Sequence, residues 1–179
     1  MSTRQRLITA AIDLVSAGDE DALTLRALGD SIGLSRGAPY RHFEDKDALI
    51  RAVAASGFRN LTAKMRRADG LRGALRAYVA WGVKNPALYN LTFRSSALSD
   101  AKHKVNDEEL AMAAGELLEF VKTVIADAQE AGELPSGPVE PLVGVLWAQL
   151  HGAVDLANTG HGELSPKTVV DGLMDLIGS

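Results

Sequence analysis

The chain has 179 residues, 46% of them apolar, no cysteine and a formal net charge of −4. That length allows one large domain or a small one joined to a larger one, and the missing cysteine excludes disulfides, thiolate metal sites and cysteine nucleophiles. No stretch approaches the ~18 consecutive apolar residues that a membrane span needs. The opening Met1-Ser2-Thr3-Arg4-Gln5-Arg6 leads into an amphipathic helix pattern instead of a signal-peptide apolar run. A soluble cytoplasmic protein with no membrane partner is therefore expected.

Helical periodicity runs through the chain. Leu7, Ile8, Ala11, Ile12, Leu14 and Val15 recur at three-to-four spacing and predict a first helix that ends near Gly18. Residues 24–43 read as two short helices meeting at Gly33, the arrangement that lays a second helix in the major groove of DNA. Thr24 suits an N-cap, and Leu25, Leu28 and Ile32 give the first of the pair its apolar face. Gly29 sits where the two helices must approach most closely. Gly33 supplies the left-handed backbone that ends the first, and Ser35 is placed to cap the second.

Glu44 and Asp45 form a short link to a long helix beginning at Lys46, with Leu49, Ile50, Val53, Ala54, Phe58, Leu61 and Met65 along one side. Gly57 is a candidate bend in it. After a break at Asp69-Gly70 comes a helix with Leu75, Tyr78, Val79 and Trp81, interrupted at Asn85-Pro86, then a short helix from Leu88 to Phe93 and a loop over 95–106. A strong helix follows from Asp107 to Ala131, with Leu110, Ala114, Leu117, Leu118, Val121, Val124, Ile125 and Ala128 as its stripe. Gly132 stops it, and Pro135-Ser136-Gly137-Pro138 is a clear turn. Helices over 139–158 and 165–177 complete the chain, the last opened by Ser165 as N-cap and Pro166 at the first helical position. Strand alternation and internal repeats are both missing. The predicted fold is all-α, with about nine helices.

The distribution of charge qualifies the net −4. Residues 1–67 hold 11 Lys and Arg against 8 Asp and Glu, a net +3, while residues 68–179 hold 8 against 15, a net −7. A basic reader followed by an acidic body fits that split. Within the reader, Thr24 and Arg26 open the supporting helix, where a hydroxyl and a guanidinium reach phosphates of one strand. Lys46 heads the next helix, whose amino-terminal amides suit another phosphate. Tyr40, Arg41 and His42 are polar-tipped reaches toward the same backbone. Arg36 is the best base reader, because arginine bonds guanine O6 and N7 together. Gly37 and Ala38 keep the helix that Ser35 caps close to the groove, and Ala38 can touch a thymine methyl. Pro39 lies in or just beyond the first turn of the second helix, where a lost amide costs at most one bond.

Residues 5–52 resemble the N-terminal domain of the tetracycline-repressor (TetR) family of bacterial transcriptional regulators. Ala11, Leu14, Gly18, Thr24, Leu28, Gly33, Ser35, Tyr40, Phe43, Lys46 and Leu49 carry the likeness, with the long run from Gly33 to Phe43. The sequence departs from the pattern at Gly29, where alanine is more usual, and at Ala38-Pro39, often Thr-Leu. The resemblance implies a homodimer, a C-terminal domain responsive to a small ligand, and binding to palindromic operators. The expected organisation is thus a three-helix helix–turn–helix DNA-binding domain over 1–50 and a helical ligand-binding and dimerisation domain over 51–179.

In the helix over 139–158, Gly144, Ala148 and Gly152 fall four apart and make a nearly axial strip of small residues, which lets another helix approach closely. Apolar residues spread around most of that helix, so it must be covered on several faces. With Val169, Val170, Leu173, Met174 and Ile177 of the last helix, the strip is the candidate dimer interface, a helix pair meeting its copy. Trp147-x-x-x-His151-Gly152 resembles the Trp-His-Gly signature of one C-terminal class in the same family, a likeness spanning roughly residues 75–178. Tyr78, Trp81, Tyr89, Phe93, Met112, Phe120, Trp147 and His151 are candidate ligand-lining residues, against the simpler alternative that most of them are core. His151 and Asp155 stand one turn apart, but two ligands are too few for a closed metal site, and His103 and His161 fall in loops. Neither metal nor cofactor is expected.

Four dispersed histidines and no Gly-rich phosphate loop argue against an enzyme. The leading expectation is a ligand-controlled DNA-binding regulator, a repressor. The alternatives are a helical small-molecule carrier, which leaves Arg26, Arg36 and Lys46 without a role, and a dimeric DNA binder that needs no ligand.

Overall fold

Caps written into the sequence decide where most of the helices begin and end. The computed structural model describes residues 1–19, 23–94, 108–160 and 165–177. Among them are eight α-helices: α1 (Thr3–Ser16), α2 (Leu25–Ser31), α3 (Lys46–Arg66), α4 (Gly70–Lys84), α5 (Pro86–Arg94), α6 (Glu108–Glu130), α7 (Val139–Asn158) and α8 (Pro166–Ile177). The Ser2 hydroxyl accepts from the Gln5 amide at the start of α1 (3.2 Å), Thr24 from Ala27 at α2 (3.1 Å), and Ser165 from Thr168 at α8 (3.1 Å). Each satisfies an amide that the first helical turn leaves without a partner. The expected loop at 95–106, with His103, and the position of His161 lie outside the described residues.

The ninth expected helix is not an α-helix. Residues 39–41 form a single 3-10 turn, preceded by a turn over 36–38. Ala38 N–H donates to the Ser35 carbonyl (2.9 Å), Arg41 to Ala38 (3.3 Å) and His42 to Pro39 (3.0 Å). Pro39 has no amide, so the bond back to Ser35 that would close an α-turn is missing and the winding tightens to three-residue steps. Ser35 therefore acts through its carbonyl, where a hydroxyl cap was expected.

Contacts group the chain into two units, Met1–Phe58 with Asn85–Ala114, and Arg59–Lys84 with Gly115–Ser179. In the first, α1 packs against α2 and α5, and α2 against the 3-10 turn. Leu7, Ile8, Ala11 and Val15 form the buried stripe of α1, with the steps of three and four residues from Ile8 to Ala11 to Val15 that its amphipathic pattern requires. α3 runs as one helix through Gly57, so that glycine marks a contact and not a bend. A Cβ there would lie 2.1 Å from Thr92 Oγ1 and 3.2 Å from its Cβ. Thr92 is fully buried and its hydroxyl donates to the Leu88 carbonyl one turn back (2.7 Å). The missing side chain is what lets α5 come this close.

In the second unit α4 contacts both α7 and α8, which also touch each other. α4 buries Leu71, Ala74, Leu75, Tyr78, Val79 and Trp81, α7 buries Leu146, Leu150, Ala153 and Val154, and α8 buries Val170 and Met174. Each such large aliphatic side chain contributes about 1.5–3 kcal/mol by leaving water. Polar links fix the register at the rim of this core. Arg72 bonds Asp171 (3.0 Å) and Asp175 (3.3 Å), Arg76 also bonds Asp171, and Trp81 Nε1 donates to Asn60 Oδ1 (2.9 Å).

Candidate nucleic-acid interface

The first unit separates its two kinds of side chain cleanly between residues 24 and 46. Leu25, Leu28, Pro39 and Phe43 are buried, while Thr24, Arg26, Ser35, Arg36, Gly37, Tyr40, Arg41, His42 and Lys46 are exposed and Ala38 is half-buried. An apolar floor thus carries a surface of donors with no acidic partner at the 3-10 turn itself among the described ion pairs. Tyr40 stands 56% exposed, an aromatic ring held in water and followed directly by the exposed Arg41 and His42. That combination is unfavourable for an idle surface and suited to a polyanion.

Local chemistry holds this surface in place. Gly33 takes φ +73°, which turns the chain after α2 and lets Leu34 N–H reach the Gly29 carbonyl (2.8 Å). Arg6 of α1 donates to the Ile32 carbonyl just past α2 (2.7 Å), occupying an acceptor the helix end leaves open. Arg4 pairs with Glu109 of α6, and its guanidinium lies 5.2 Å from the centre of the Phe43 ring. Asp45 caps α3, its carboxylate accepting from Ala48 (2.7 Å). Arg26 lies 4.0 Å from Asp30, one turn on, both well exposed, a pair that a phosphate can replace at little cost.

Arg4, Arg6 and Asp45 were not among the residues singled out from sequence. Asp45 carries a readable signal, an acidic residue three positions before the amide it caps. Arg4 and Arg6 carry none, because their partners lie 105 and 26 residues away.

Gly29 and Pro39 belong together. A Cβ on Gly29 would lie 2.6 Å from Pro39 Cγ and 3.4 Å from Cδ. The two positions at which residues 5–52 depart from the pattern they resemble are thus in direct contact.

The aromatic and pliable residues considered as ligand-lining divide between the units. Tyr89, Phe93 and Met112 belong to the first, where Tyr89 is buried, Phe93 stacks within 4.9 Å of Tyr89 and 5.1 Å of Phe58, and Met112 is 60% exposed. Tyr78, Trp81, Phe120, Trp147 and His151 belong to the second. There Tyr78, Trp147 and His151 form one group, with ring centres 4.9 Å apart for Trp147–His151, 5.8 Å for Tyr78–His151 and 6.2 Å for Tyr78–Trp147. His151 Nδ1 lies 3.0 Å from the Trp147 carbonyl and 3.1 Å from the Tyr78 hydroxyl, with Nε2 3.3 Å from the same hydroxyl. The tautomer sets which of these atoms donates. Tyr78 is buried while Trp147 and His151 are half-buried, so the group runs from core to surface. Phe120 instead lines an open groove of about 310 Å³ with Arg66, whose guanidinium sits 5.6 Å from its ring centre. A larger open groove of about 710 Å³ is lined by Asp69, Arg72, Glu133, Met174 and Asp175 among others, with none of the eight candidates.

Of the residues considered for dimerisation, Gly144 and Ala148 are exposed, and Gly152, Val169, Leu173 and Ile177 half-buried. Val170 and Met174 are buried in the chain's own core. A Cβ at Gly144 or Gly152 would meet nothing within 4 Å among the described residues, so none of them covers the strip at those two positions. Val145 (48%), Leu156 (46%) and Leu176 (79%) extend the exposed apolar surface of α7 and α8.

Residues 7–53 match the family model described as bacterial regulatory proteins, tetR family, and residues 71–177 match one described as tetracyclin repressor-like, C-terminal domain. A helix–turn–helix transcriptional repressor of Mycobacterium tuberculosis is 36% identical over 77 residues, which cover 43% of this chain and 41% of that protein. The chain therefore spans under half the length of that relative. The transcriptional regulator UidR of Escherichia coli K12 is 25% identical over 153 residues, covering 74% of this chain and 69% of the relative. Among solved structures, a protein of unknown function from Rhodococcus sp. RHA1 superposes with a TM-score of 0.81 at 28% identity, over 99% of this chain and 94% of that one.

Proposed function

As a member of the tetR family of bacterial regulatory proteins, the chain is a DNA-binding transcriptional regulator and not an enzyme, and we propose that it works in the cytoplasm as a homodimeric repressor released from a palindromic operator by a small molecule. The observation that carries this reading is the exposed surface from Thr24 to Lys46 on its buried floor. Arg36 and its neighbours Gly37 and Ala38 enter the groove, Arg36 reading guanine. Thr24, Arg26, Tyr40, Arg41, His42 and Lys46 hold phosphates and set the register. No helix among the described residues is long and apolar enough to cross a membrane.

A single reader of this size offers few base contacts, so two must act together on successive major grooves. The open Gly144-Ala148-Gly152 strip, with Val145 and Leu156 exposed on the same helix and Leu176 exposed on α8, supports a helix pair meeting its copy. The Tyr78–Trp147–His151 group is the favoured effector contact, since it joins aromatic surface to an ordered hydroxyl–imidazole pair. Release requires an effector that binds better to a body shape in which the two readers are wrongly spaced; equal affinity for both shapes shifts nothing.

The test couples two measurements. Small molecules that raise the melting temperature of the purified protein are titrated into its complex with operator DNA. At least one is expected to lower operator affinity tenfold or more; if every stabilising compound leaves that affinity unchanged, release by effector is wrong.

A further inference from the structure

We propose that Gly29 and Pro39 act as one specificity-positioning pair: the proline ring, seated in the space left by the missing side chain of Gly29, sets the pose of the turn that reads DNA. The inference rests on the reading that Arg36 and its neighbours contact bases. Both residues of the pair are buried, so neither touches a duplex. They act on it through the backbone between them.

The contact is tight and has no soft side. A Cβ at position 29 would stand 2.6 Å from Pro39 Cγ, closer than carbon atoms tolerate, and 3.4 Å from Cδ, with Leu34 Cβ at 4.0 Å behind it. A flexible side chain could rotate away. A pyrrolidine ring is fused to the backbone and has no rotamer to swing into, so a methyl at position 29 presses on position 39 itself. Pro39 is also the hub of the turn: its carbonyl accepts from His42 (3.0 Å) and Phe43 (3.1 Å). Displacing it carries Tyr40, Arg41 and His42 along, and shifts the strand on which Arg36 and Gly37 lie just upstream. Because Pro39 opens a three-residue winding, the side chains from 39 to 41 point in directions an α-helix would not give them. The pair thus fixes which atoms reach the groove, and a shift of about 1 Å is enough to lose a bidentate base contact.

The experiment compares the full-length protein with Gly29→Ala, Pro39→Ala and the double variant, reading affinity for a selected operator and for random duplex at the same salt. The ratio of the two affinities is the readout, since loss of folded protein lowers both together. Gly29→Ala is expected to lower the ratio by about tenfold or more, and the double variant to return it to the value of Pro39→Ala alone, because the added methyl then has room. Equal ratios for wild type and Gly29→Ala, an equal loss on operator and random duplex, or the same loss with and without the proline overturns the pairing. Should Gly29→Ala fail to fold, Pro39→Ala decides: its ratio must fall with random-duplex affinity kept, and an unchanged ratio overturns the proposal. A wild type that selects no sequence at all removes the base-reading premise and the pair's role with it, an outcome distinct from a failed pairing in a selective wild type.

Discussion

Arg36 and Lys46 carry the same charge and ask different things of a duplex. Arg36 offers a planar fork that matches guanine, so Arg36→Ala is expected to cost about 1–3 kcal/mol of operator binding and to relax selection at one base position. Lys46→Ala is expected to weaken binding nearly equally on all sequences and to reduce the slope of log affinity against log salt by about 1. Fluorescence anisotropy on operator and random duplexes at several salt concentrations separates the two; identical profiles for the variants would contradict the assignment. In the second unit Tyr78→Phe removes the hydroxyl that the His151 imidazole meets, with an expected stability loss of about 0.5–1.5 kcal/mol in urea unfolding. The exposure of Arg36 beside the buried floor agrees with the polar face expected from sequence, and its role as a base reader is a proposal resting on the chemistry of its side chain. Arg6 was not legible, because its bond to Ile32 exists only once α1 lies across the end of α2.

At the scale of elements, the fate of Gly57 turns on two opposed effects. Alanine there gains about 1 kcal/mol of helix propensity, while forcing a methyl against buried Thr92 costs about 1–3 kcal/mol and strains the bond of Thr92 to Leu88. Gly57→Ala is therefore expected to lower the urea midpoint, and a raised midpoint would show that α3 and α5 are less closely held. The α4–α8 clamp makes a pH-dependent prediction. Hydrogen bonds from Arg76 and then Arg72 hold the Asp171 carboxyl below its ordinary value of 3.8. A depressed carboxyl adds stability above that value and loses it as pH falls through the lowered one. Wild type should thus exceed Asp171→Asn in stability at neutral pH, with the gap closing only below about pH 4; a gap that stays constant into acid would contradict the clamp. The starts of α2 and α8 were readable because Thr24 and Ser165 act within one turn, while α5 begins at Pro86, two residues before the expected Leu88. The clamp spans 95 and 99 residues, and the contact of Gly29 with Pro39 joins positions in two different elements. Local spacing does not encode such partners.

For the whole molecule, a net charge of −4 is compatible with a DNA-binding surface because the net positive charge falls in residues 1–67 and the net negative charge in residues 68–179. The all-helical class followed from periodicity alone, whereas the grouping of α5 and the start of α6 with the reader did not, since no pattern says which helices share a core. Assembly carries its own prediction: Val145→Glu together with Leu176→Glu is expected to shift a dimer toward monomer in sedimentation velocity with helix content unchanged, and to weaken operator binding strongly; an unchanged sedimentation coefficient would place the interface elsewhere. The central claim is that two copies of the residue 24–46 surface read a twofold DNA site. Selection of genomic fragments by the purified protein, repeated across salt concentrations, tests it most directly. Enrichment of a palindrome with half-sites about one helical turn apart, bound with a steep salt dependence and lost with Arg36→Ala, is the predicted result. No enriched sequence, or one that Arg36→Ala selects equally well, would contradict it.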